Sequence, residues 1–406
     1  MKIVIASAVY YPMINGVAVF SHNLATGLAE RGHEVLVICP SQNGKNHTEI
    51  IDDVNVHYLR SVQAKIYPDQ IHELGGKRRL FYKHGFRVSI FPQREVKKIL
   101  KRFRPDVVHV QVSDPIGLSV VYYARRNNIP VVTTEHNQPE VITEPLKMPA
   151  LMKKPVNALL SAYFVNRQSK SDFVTMPTKQ AISNLILSRG KEFPVPVAAV
   201  SNGVDLKNFK PGKPSKALYS EYELKEECRT VLNLGRLDPE KNVGAVIEAF
   251  LAAEQKMPNI QLVIVGDGVD RPRLEKIAKK SANIHFLGRI MPPDLYEIYK
   301  LGDVFATASE IETQGIVLIE AAATGLPLIA VDKGAVSEVC INGENGFLCR
   351  PGDVSEISEA MVKILSDDKL RKSFSEKSIK IAKEHDFENT LDKFENIYAK
   401  VIKNKG

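Results

Sequence analysis

Residues 309–323 join a predicted loop to a predicted helix and combine acidic residues with a glycine. Either Glu312 or Thr313 is positioned to cap that helix. Three backbone amides would then stay unpaired in its first turn, those of Gln314, Gly315 and Ile316. Free amides and the positive end of a helix dipole attract anions, and a glycine lets a ligand approach the backbone closely. The segment therefore predicts a site for a diphosphate.

Two of the three glutamates in this segment, Glu312 and Glu320, are eight positions apart, which is about two helical turns. Both are therefore expected on one side, where one can meet sugar hydroxyls near the loop and the other a ribose further along. An acidic residue near a helix start is common, so either glutamate alone could be an ordinary surface group. The whole segment is more specific, and it favours binding roles over acid–base catalysis.

Two basic residues follow a predicted strand in the segment 234–242. Arg236 and Lys241 would lie in a loop at the carboxyl edge of a parallel sheet, where doubly wound folds bind ligands. Two cations at that edge can neutralise the charge that develops on a departing nucleotide diphosphate. Each could instead form a surface pair with Asp238 or Glu240.

The first half of the chain offers two further candidate positions. Gly16 and Val17 lie between the first predicted strand and the first predicted helix, where the backbone could approach a phosphate or a sugar. A simple turn is the alternative. His136 follows another predicted strand, so its ring would lie at a sheet edge, although a single histidine is more often structural.

Residues 77–104 contain eleven lysines and arginines and one acid, Glu95. Such a block could bind nucleic acid, an anionic membrane or a phosphorylated acceptor, or it could be a solvated helix face. Aromatic and aliphatic residues interleave with the charges, which favours a membrane interface and makes nucleic acid an unexpected partner. The residues predicted to contact membrane or acceptor are Lys97, Lys98, Lys101 and Arg102.

Short β-rich runs alternate with helical patterns along the chain, which predicts parallel sheets joined by helical crossovers. A length of 406 residues is too great for one ordinary core, and the polar stretch at 210–215 contains the proline and glycine of a domain junction. The predicted fold class is α/β, with two Rossmann-like domains facing each other across a cleft. Their predicted bounds are 1–205 and 206–380, followed by a helix at 381–406 that packs back on the first domain.

The four cysteines are scattered without metal-ligand spacing, and no apolar run reaches the roughly 20 residues that span a bilayer. The apolar N-terminal run is too short for a signal peptide and is predicted to be the first strand. These features predict a cytoplasmic protein with reduced thiols, without a structural zinc site or a disulfide framework.

A series of short motifs resembles those of the retaining glycosyltransferases of family 4, which have the GT-B fold. The motifs are Asn15-Gly16-Val17, Arg31-Gly32-His33-Glu34-Val35, Pro105-Asp106-Val107-Val108-His109, Ser201-Asn202-Gly203-Val204-Asp205, Gly235-Arg236 with Glu240-Lys241-Asn242, Val265-Gly266-Asp267-Gly268, and Glu312 with Glu320. Each is ordinary by itself, but their order and spacing together are specific and cover nearly the whole chain.

The resemblance implies four residues in the transfer step. Arg236 and Lys241 would bind the donor diphosphate, Glu312 would contact the hydroxyls of the donor sugar, and His136 would lie beside that sugar. Retention in this family is usually explained by front-face attack, in which the leaving phosphate accepts the proton of the acceptor. No protein general base is therefore assigned, and no metal or prosthetic group is required.

The resemblance also implies a donor-binding set around a nucleotide-sugar co-substrate in the C-terminal domain, with the N-terminal domain on the acceptor side. The base would lie near Arg289 and Ile290, and the ribose at Glu320. The other members of the set are Gly16, Val17, Thr313, Gln314, Gly315 and Ile316.

Two segments are similar to those of the bacterial diacylglycerol glucosyltransferases, namely Glu312-Thr313-Gln314-Gly315 and Asn15-Gly16-Val17. This resemblance implies transfer of a hexose, glucose from UDP-glucose, to a membrane lipid such as diacylglycerol. The enzyme would be peripherally associated with the inner face of the cell membrane. A second apolar and basic stretch at 145–155 would add to the basic block.

Several alternatives stay open. Within the same chemistry, the chain could be a mannosyl- or glucosyltransferase acting on phosphatidylinositol or on a soluble acceptor. A nucleotide-sugar epimerase of the same fold is disfavoured because the Arg236/Lys241 and Glu312/Glu320 sets match the transferases. A binding protein with a degenerate donor site fits less well because each predicted donor position is filled. A dehydrogenase is disfavoured because Gly266-Asp267-Gly268 lacks the third glycine of a dinucleotide fingerprint.

Overall fold

The computed structural model describes residues 1–11, 13, 15–64, 86–111, 114–136, 139, 143 and 149–405. The described chain forms two compact units. One contains the residues up to Asn202 and those from Glu388 onward, and the other runs from Gly203 to Phe387. Part of the predicted basic block, 77–85, and the first four residues of the second basic stretch, 145–148, lie outside the described residues.

The first unit alternates strands and helices. Its elements up to Asn202 are β1 (Lys2–Ala6), α1 (Gly16–Glu30), β2 (Glu34–Pro40), β3 (His47–Ile51), β4 (Val54–Leu59), β5 (Ser61–Gln63), β6 (Arg87–Ser89), α2 (Gln93–Phe103), β7 (Val107–Val110), α3 (Pro115–Arg126), β8 (Val131–Thr134), α4 (Ala150–Gln168), β9 (Phe173–Met176), α5 (Lys179–Arg189) and β10 (Val197–Ala199).

Eight of these strands form one sheet in the order β10-β9-β8-β7-β1-β2-β4-β3, and β5 pairs with β6 in a separate antiparallel ribbon. The central strands β1, β7 and β8 are almost wholly buried, as expected of parallel strands covered on both faces. Their carboxyl ends lie side by side, so the loops that follow β1, β7 and β8 share one edge of the sheet.

The outer strand β3 is antiparallel to β4, although the alternation of strands and helices predicts parallel pairing. The two strands are joined by Asp52 and Asp53, which both have positive φ, at 46° and 61°. A two-residue loop with positive φ at both positions matches the right-handed twist of a hairpin. The signal is present in the sequence as an Asp-Asp pair between two β-rich runs.

The second unit is a separate α/β domain. Its elements are α6 (Lys216–Glu221), β11 (Arg229–Leu234), α7 (Val243–Lys256), β12 (Ile260–Val265), α8 (Arg271–Ala278), β13 (Ile284–Gly288), α9 (Asp294–Tyr299), β14 (Val304–Ala306), α10 (Ile316–Ala323), β15 (Leu328–Val331), β16 (Gly346–Cys349), α11 (Val354–Ser366) and α12 (Asp368–Lys383).

Its six strands are all parallel, in the order β13-β12-β11-β14-β15-β16. Successive residues face opposite sides, so that Val231 joins the core under α7 and α11, while Leu232 joins the core under α9 and α10. The strand order reverses between β11 and β14, and doubly wound sheets bind ligands beyond the carboxyl ends of strands at such a point. The prediction of two Rossmann-like domains is confirmed.

The last helix, α13 (Phe387–Lys403), packs mainly within the first unit. Its Phe394 ring lies 5.0 Å from the ring of His109. Arg31 holds the outer side of the helix through three carboxylates, at N–O distances of 2.6 to 2.7 Å, which belong to Glu388, Asp392 and Glu395. The motif of residues 31–35 thus links α13 to the start of β2.

Candidate functional site

Lys241 and Glu312 meet at the carboxyl edge of the second unit. Lys241 lies at the end of a short 3₁₀ turn, Pro239–Lys241, in the loop that follows β11. Glu312 lies in the loop that follows β14, the neighbouring strand. The Lys241 ammonium donates to Glu312 Oε1 at 2.6 Å, and both side chains are about one-fifth exposed or less. A cation and a carboxylate are therefore held together at the point where the strand order reverses.

Arg236, from the same loop as Lys241, has different partners. Its guanidinium contacts Asp238 and donates to Glu240 Oε1 at 2.7 Å, and half of the side chain is exposed. The surface pairing that the sequence left open is thus the arrangement that Arg236 adopts. The side chain remains at the carboxyl end of β11, within the same unit as Lys241.

The glycines of residues 266–268 allow two loops to pack backbone against backbone. A Cβ on Gly266 would lie 1.8 Å from the carbonyl oxygen of Gly235, and one on Gly268 would lie 2.4 Å from that of Leu237. The amide of Leu237 donates to the carbonyl of Asp267 at 3.0 Å. These glycines therefore fix the loop that carries Arg236 and Lys241, which accounts for them without a dinucleotide fingerprint.

The helix start differs from the prediction. Neither Glu312 nor Thr313 caps α10, because the helix begins at Ile316 and its N-cap is Gly315, with φ 76° and ψ 57°. This left-handed conformation suits a glycine and lets the chain turn sharply into the helix. The amide of Leu318 donates to the carbonyl of Gly315 at 2.9 Å, whereas the amides of Gly315 and Ile316 have no acceptor within the helix. The predicted anion site therefore narrows to these two amides and remains a prediction.

The segment before this helix start is well packed. Gln314 is buried and Thr313 is half-buried. The carbonyl of Glu312 accepts from the amide of Ala335 at 3.3 Å. A Cβ on Gly334 would lie 3.1 Å from the same carbonyl, so this close approach requires a small residue. The backbone of Glu312 is therefore held by contacts independent of its ion pair.

Glu320 lies in the middle of α10, and its carboxylate accepts a hydrogen bond from a tyrosine of a neighbouring helix. The hydroxyl of Tyr299, at the end of α9, donates to Glu320 Oε2 at 2.5 Å. Burial raises the pKa of Glu320 from 4.5 to about 7, and the hydrogen bond from Tyr299 lowers it to a smaller extent. Tyr299 is absent from the residues predicted from the sequence, because a contact between two helices depends on their packing.

Arg289 and Ile290 directly follow β13, at the same edge of the same sheet. Burial lowers the pKa of the Arg289 guanidinium, while the charge of Asp267 raises it. Ile290 packs against the core beneath α9 and α10. The predicted base, diphosphate and sugar positions thus follow β13, β11 and β14, which lie along one edge of a single sheet.

Gly16 and Val17 begin α1 in the first unit, directly after β1 and its loop. Asn15 caps the helix by accepting from the amide of Ala18 at 2.9 Å. Gly16 is exposed, and a Cβ built on it would meet no protein atom within 4 Å. Packing among the described residues therefore does not require a glycine here, and the space beside its backbone is open to a ligand.

His136 lies at the carboxyl end of β8, where the sequence places it. Its ring is 8% exposed and packs edge-on against Phe20, with centroids 5.2 Å apart. Nε2 lies 2.9 Å from Oε1 of Gln111. Because an amide oxygen only accepts, Nε2 carries the proton and Nδ1 keeps its lone pair. Burial lowers the pKa of His136 to about 3, so the ring is neutral at physiological pH.

A second buried histidine, His109, continues the polar chain beneath His136. Its ring nitrogens lie 2.7 Å from the hydroxyls of Tyr398 and Thr134. Burial is the main reason that its pKa falls to about 3. His109 is therefore a core residue with satisfied nitrogens, and the residue that sequence reasoning missed beside His136 is Gln111.

The basic residues Lys97, Lys98, Lys101 and Arg102 lie on the exposed face of α2. Its opposite face buries Val96, Ile99 and Leu100. Just before the helix, the apolar side chains of Ile90 and Phe91 are 51% and 83% exposed. Apolar side chains of α4 and α5 are also exposed, namely Leu151, Met152, Leu159, Tyr163 and Leu187.

Within the described ranges, no three His, Cys, Asp or Glu side chains cluster as metal ligands would. Among the helices of the same residues, none combines the length and apolarity needed to cross a bilayer.

Comparison with known proteins relates both halves of the chain to one enzyme class. Residues 14–208 match the family described as Glycosyltransferase Family 4, and residues 216–381 match Glycosyl transferases group 1. The alpha-monoglucosyldiacylglycerol synthase of Acholeplasma laidlawii is 29% identical over 357 residues, which cover 86% of this chain and 84% of the relative. The GDP-mannose-dependent alpha-mannosyltransferase of Mycobacterium tuberculosis is 28% identical, with coverages of 87% and 85%.

Among solved structures, HepE of Anabaena in complex with UDP-glucose superposes with a TM-score of 0.69 at 17% identity, covering 98% of this chain and 100% of HepE. That likeness concerns the fold, which is GT-B. The two family matches together span most of the sequence and agree with the motifs and the two doubly wound units. The chain therefore belongs to the family 4 glycosyltransferases and is a glycosyltransferase.

Proposed function

We propose that the protein transfers a hexose, glucose from UDP-glucose, to a membrane lipid such as diacylglycerol, with retention of the anomeric configuration. The observation that carries the proposal is the Lys241–Glu312 pair at the carboxyl ends of β11 and β14. A cation there can meet a diphosphate, and a carboxylate beside it can accept from sugar hydroxyls.

The donor would lie along one edge of the sheet of the second unit. The base would contact the residues after β13, Arg289 and Ile290, and the ribose would reach Glu320. The diphosphate would meet Lys241, Arg236 and the amides at Gly315 and Ile316. For Arg236 this requires its guanidinium to exchange Asp238 or Glu240 for a phosphate, which a half-exposed side chain can do.

The proposed chemistry needs stabilisation of the leaving group. The bond between the anomeric carbon and the diphosphate oxygen breaks, and the acceptor hydroxyl oxygen forms its bond to the same face of that carbon. The proton of the acceptor passes to the leaving phosphate, so the charges balance without a protein base. Lys241, Arg236 and the helix amides would stabilise the negative charge on the diphosphate.

The proposed acceptor is a lipid for two reasons. The Acholeplasma laidlawii relative carries the name of a diacylglycerol-modifying enzyme. The exposed cations of α2 lie beside exposed apolar side chains, a combination that suits the interface of an anionic membrane. A peripheral association with the membrane surface follows from the same features.

A donor and acceptor screen tests this proposal. The purified protein is mixed with UDP-glucose, UDP-galactose or GDP-mannose and with vesicles that contain diacylglycerol or phosphatidylinositol. We expect UDP release and an α-glucosyl lipid only with UDP-glucose and diacylglycerol, and most of the activity should persist with a chelator. Mannosylated phosphatidylinositol from GDP-mannose would replace the proposal with its main alternative. A β-linked product would contradict retention.

Binding to anionic vesicles should depend on α2. Changing Lys97, Lys98, Lys101 and Arg102 to glutamine is expected to weaken binding to vesicles of phosphatidylglycerol and phosphatidylcholine by at least about tenfold, since each basic residue near such a surface contributes about 1 kcal/mol. Binding of the unmodified protein should also weaken between about 0.1 M and about 0.5 M salt. Vesicle co-sedimentation measures both effects.

A charge-matched control lies in the second unit, at the exposed residues Lys256, Lys276, Lys279 and Lys280. Their conversion to glutamine lowers the net charge equally and should change vesicle binding by less than about twofold. Equal losses in the two variants would show a nonspecific charge effect. If vesicle binding does not change with salt concentration, the basic face of α2 would be an ordinary solvated helix face.

A further inference from the structure

The hydroxyl of Tyr299 has Glu320 as its close partner. It donates to Glu320 Oε2 at 2.5 Å, whereas the nearby carbonyl of Val317 is 3.5 Å away. A short hydrogen bond to a carboxylate is stronger than one between neutral groups. The phenol of this core residue is therefore directed at the carboxylate and not at the backbone.

The ring of Tyr299 has little freedom to move. The side chain is wholly buried, and its ring packs edge-on against Phe209 at 5.5 Å and lies 6.3 Å from the ring of Phe305. A tyrosine fixed in this way fixes the direction of its hydroxyl as well. Since Glu320 Oε2 accepts that hydrogen bond, the rotamer of Glu320 is set by a rigid group.

Glu320 has two carboxylate oxygens, and the hydrogen bond from Tyr299 engages Oε2. Protein atoms cover most of the Glu320 side chain, and a part of it stays accessible. We propose that Tyr299 is a positioning residue that holds Glu320 with its second oxygen, Oε1, directed at the ribose hydroxyls of the nucleotide. This inference rests on the proposed function, in which Glu320 binds the ribose.

Tyr299 can be distinguished experimentally from a residue that only fills the core. A purely structural tyrosine would affect every nucleotide to the same extent when changed. A positioning tyrosine acts through one carboxylate, so its loss should matter only when the ligand carries the hydroxyl that this carboxylate binds. The two roles therefore differ in ribose discrimination.

The experiment compares UDP with 2′-deoxy-UDP and 3′-deoxy-UDP by calorimetric titration on the full chain. The unmodified protein should bind UDP about tenfold or more tightly than at least one deoxy analogue, since loss of a hydrogen bond to a charged group typically weakens binding by about that factor or more. In Tyr299→Phe, UDP affinity should fall about five- to tenfold while that analogue changes by less than about twofold. In the transfer reaction, KM for the donor should rise while kcat stays within about twofold.

Two further variants complete the test. Tyr219→Phe removes a phenol that packs against the same core, while the phenol that donates to Glu320 is that of Tyr299, so this variant should leave all three affinities unchanged. Glu320→Gln reports ribose discrimination with the Tyr299 ring intact, should Tyr299→Phe not fold. In the Glu320→Gln background, Tyr299→Phe should add little further loss.

The outcomes are distinct. Equal weakening of all three nucleotides in Tyr299→Phe would make the residue structural and overturn the inference. Equal binding of UDP and both deoxy analogues by the unmodified protein would do the same, because no ribose contact would exist to position. If neither UDP nor GDP binds at all, the proposed function itself fails. If GDP binds and UDP does not, the proposed donor is wrong, and equal weakening of GDP and its deoxy analogues in Tyr299→Phe would overturn the inference as well.

Discussion

Replacing Lys241 with methionine should lower kcat by about 100- to 1,000-fold while the protein still folds. Lys241 is the most enclosed cation that the structure places at the proposed diphosphate site, among the residues it describes. Removing one preorganised group that stabilises developing charge typically costs two to three orders of magnitude. The measurement is the steady-state rate of UDP release with and without acceptor vesicles, together with the thermal unfolding midpoint.

Glu312→Gln should also reduce kcat strongly, but for a different reason. The variant removes the charged acceptor for sugar hydroxyls and leaves Lys241 without its carboxylate partner. Breaking the pair from either side leaves a partly buried charge unpaired, so each single variant should lose some stability. The double variant, Lys241→Met with Glu312→Gln, should recover stability without recovering activity. Recovery of both would show that the pair is structural.

A matched control pair lies in the loops that follow β14 and β15. Lys333 donates to Glu310 Oε2 at 2.6 Å in a second lysine–glutamate pair, which is more exposed than the first. Exposed pairs contribute little to stability, and this pair has no place in the proposed donor site. Lys333→Met and Glu310→Gln should therefore change kcat by less than about twofold. A loss of kcat comparable to that expected at Lys241 and Glu312 would contradict the assignment of the donor site.

Much of the fold follows from features that are local in the sequence. Buried parallel strands are apolar on both faces, so runs such as β2 and β12 are evident, and the alternation with helices predicts doubly wound sheets. Residues that directly follow those strands must lie at the carboxyl edge. Lys241 and His136 are therefore positioned by their place in the chain alone.

Features that depend on tertiary contacts are harder to predict. A helix cap can be assigned from side chains, yet α10 begins at Ile316 after a left-handed glycine, and the loop before that glycine contacts Ala335 and Gly334. The pairing of Arg236 with Asp238 and Glu240 depends on the geometry of its loop. Tyr299 and Glu320 belong to different helices, so only the packing of α9 against α10 shows their contact.

The pKa of Glu320 predicts opposite effects of pH on stability and on donor binding. Its folded-state pKa of about 7 lies above its ordinary value of 4.5. The folded protein therefore holds a proton that the unfolded chain has lost between these two values, so the free energy of unfolding falls as pH rises from about 4.5 to about 7. Above pH 7 the free energy of unfolding is lowered by the full cost of holding Glu320 ionised in the folded protein, up to about 3 kcal/mol for a pKa shift of this size.

Glu320→Gln removes that penalty, because the amide resembles the protonated carboxyl and can still accept from Tyr299. The variant should unfold several degrees higher than the unmodified protein at pH 8, and the difference should disappear towards pH 4.5. Scanning calorimetry across this range measures the effect. A constant difference at all pH values would mean that Glu320 is not the titrating group.

Donor binding should follow the opposite trend, because an ionised carboxylate is the better acceptor for ribose hydroxyls. Affinity for intact UDP-glucose, whose diphosphate has no proton to gain near neutrality, should fall about tenfold for each pH unit below 7. Tyr299 and Tyr296, which both feel the charge of Glu320, have pKa values raised above 10 by burial, so neither titrates in this range. Glu320→Gln should bind weakly and without this pH dependence. If the variant keeps the wild-type profile, another group controls donor binding, and the ribose contact must be reassigned.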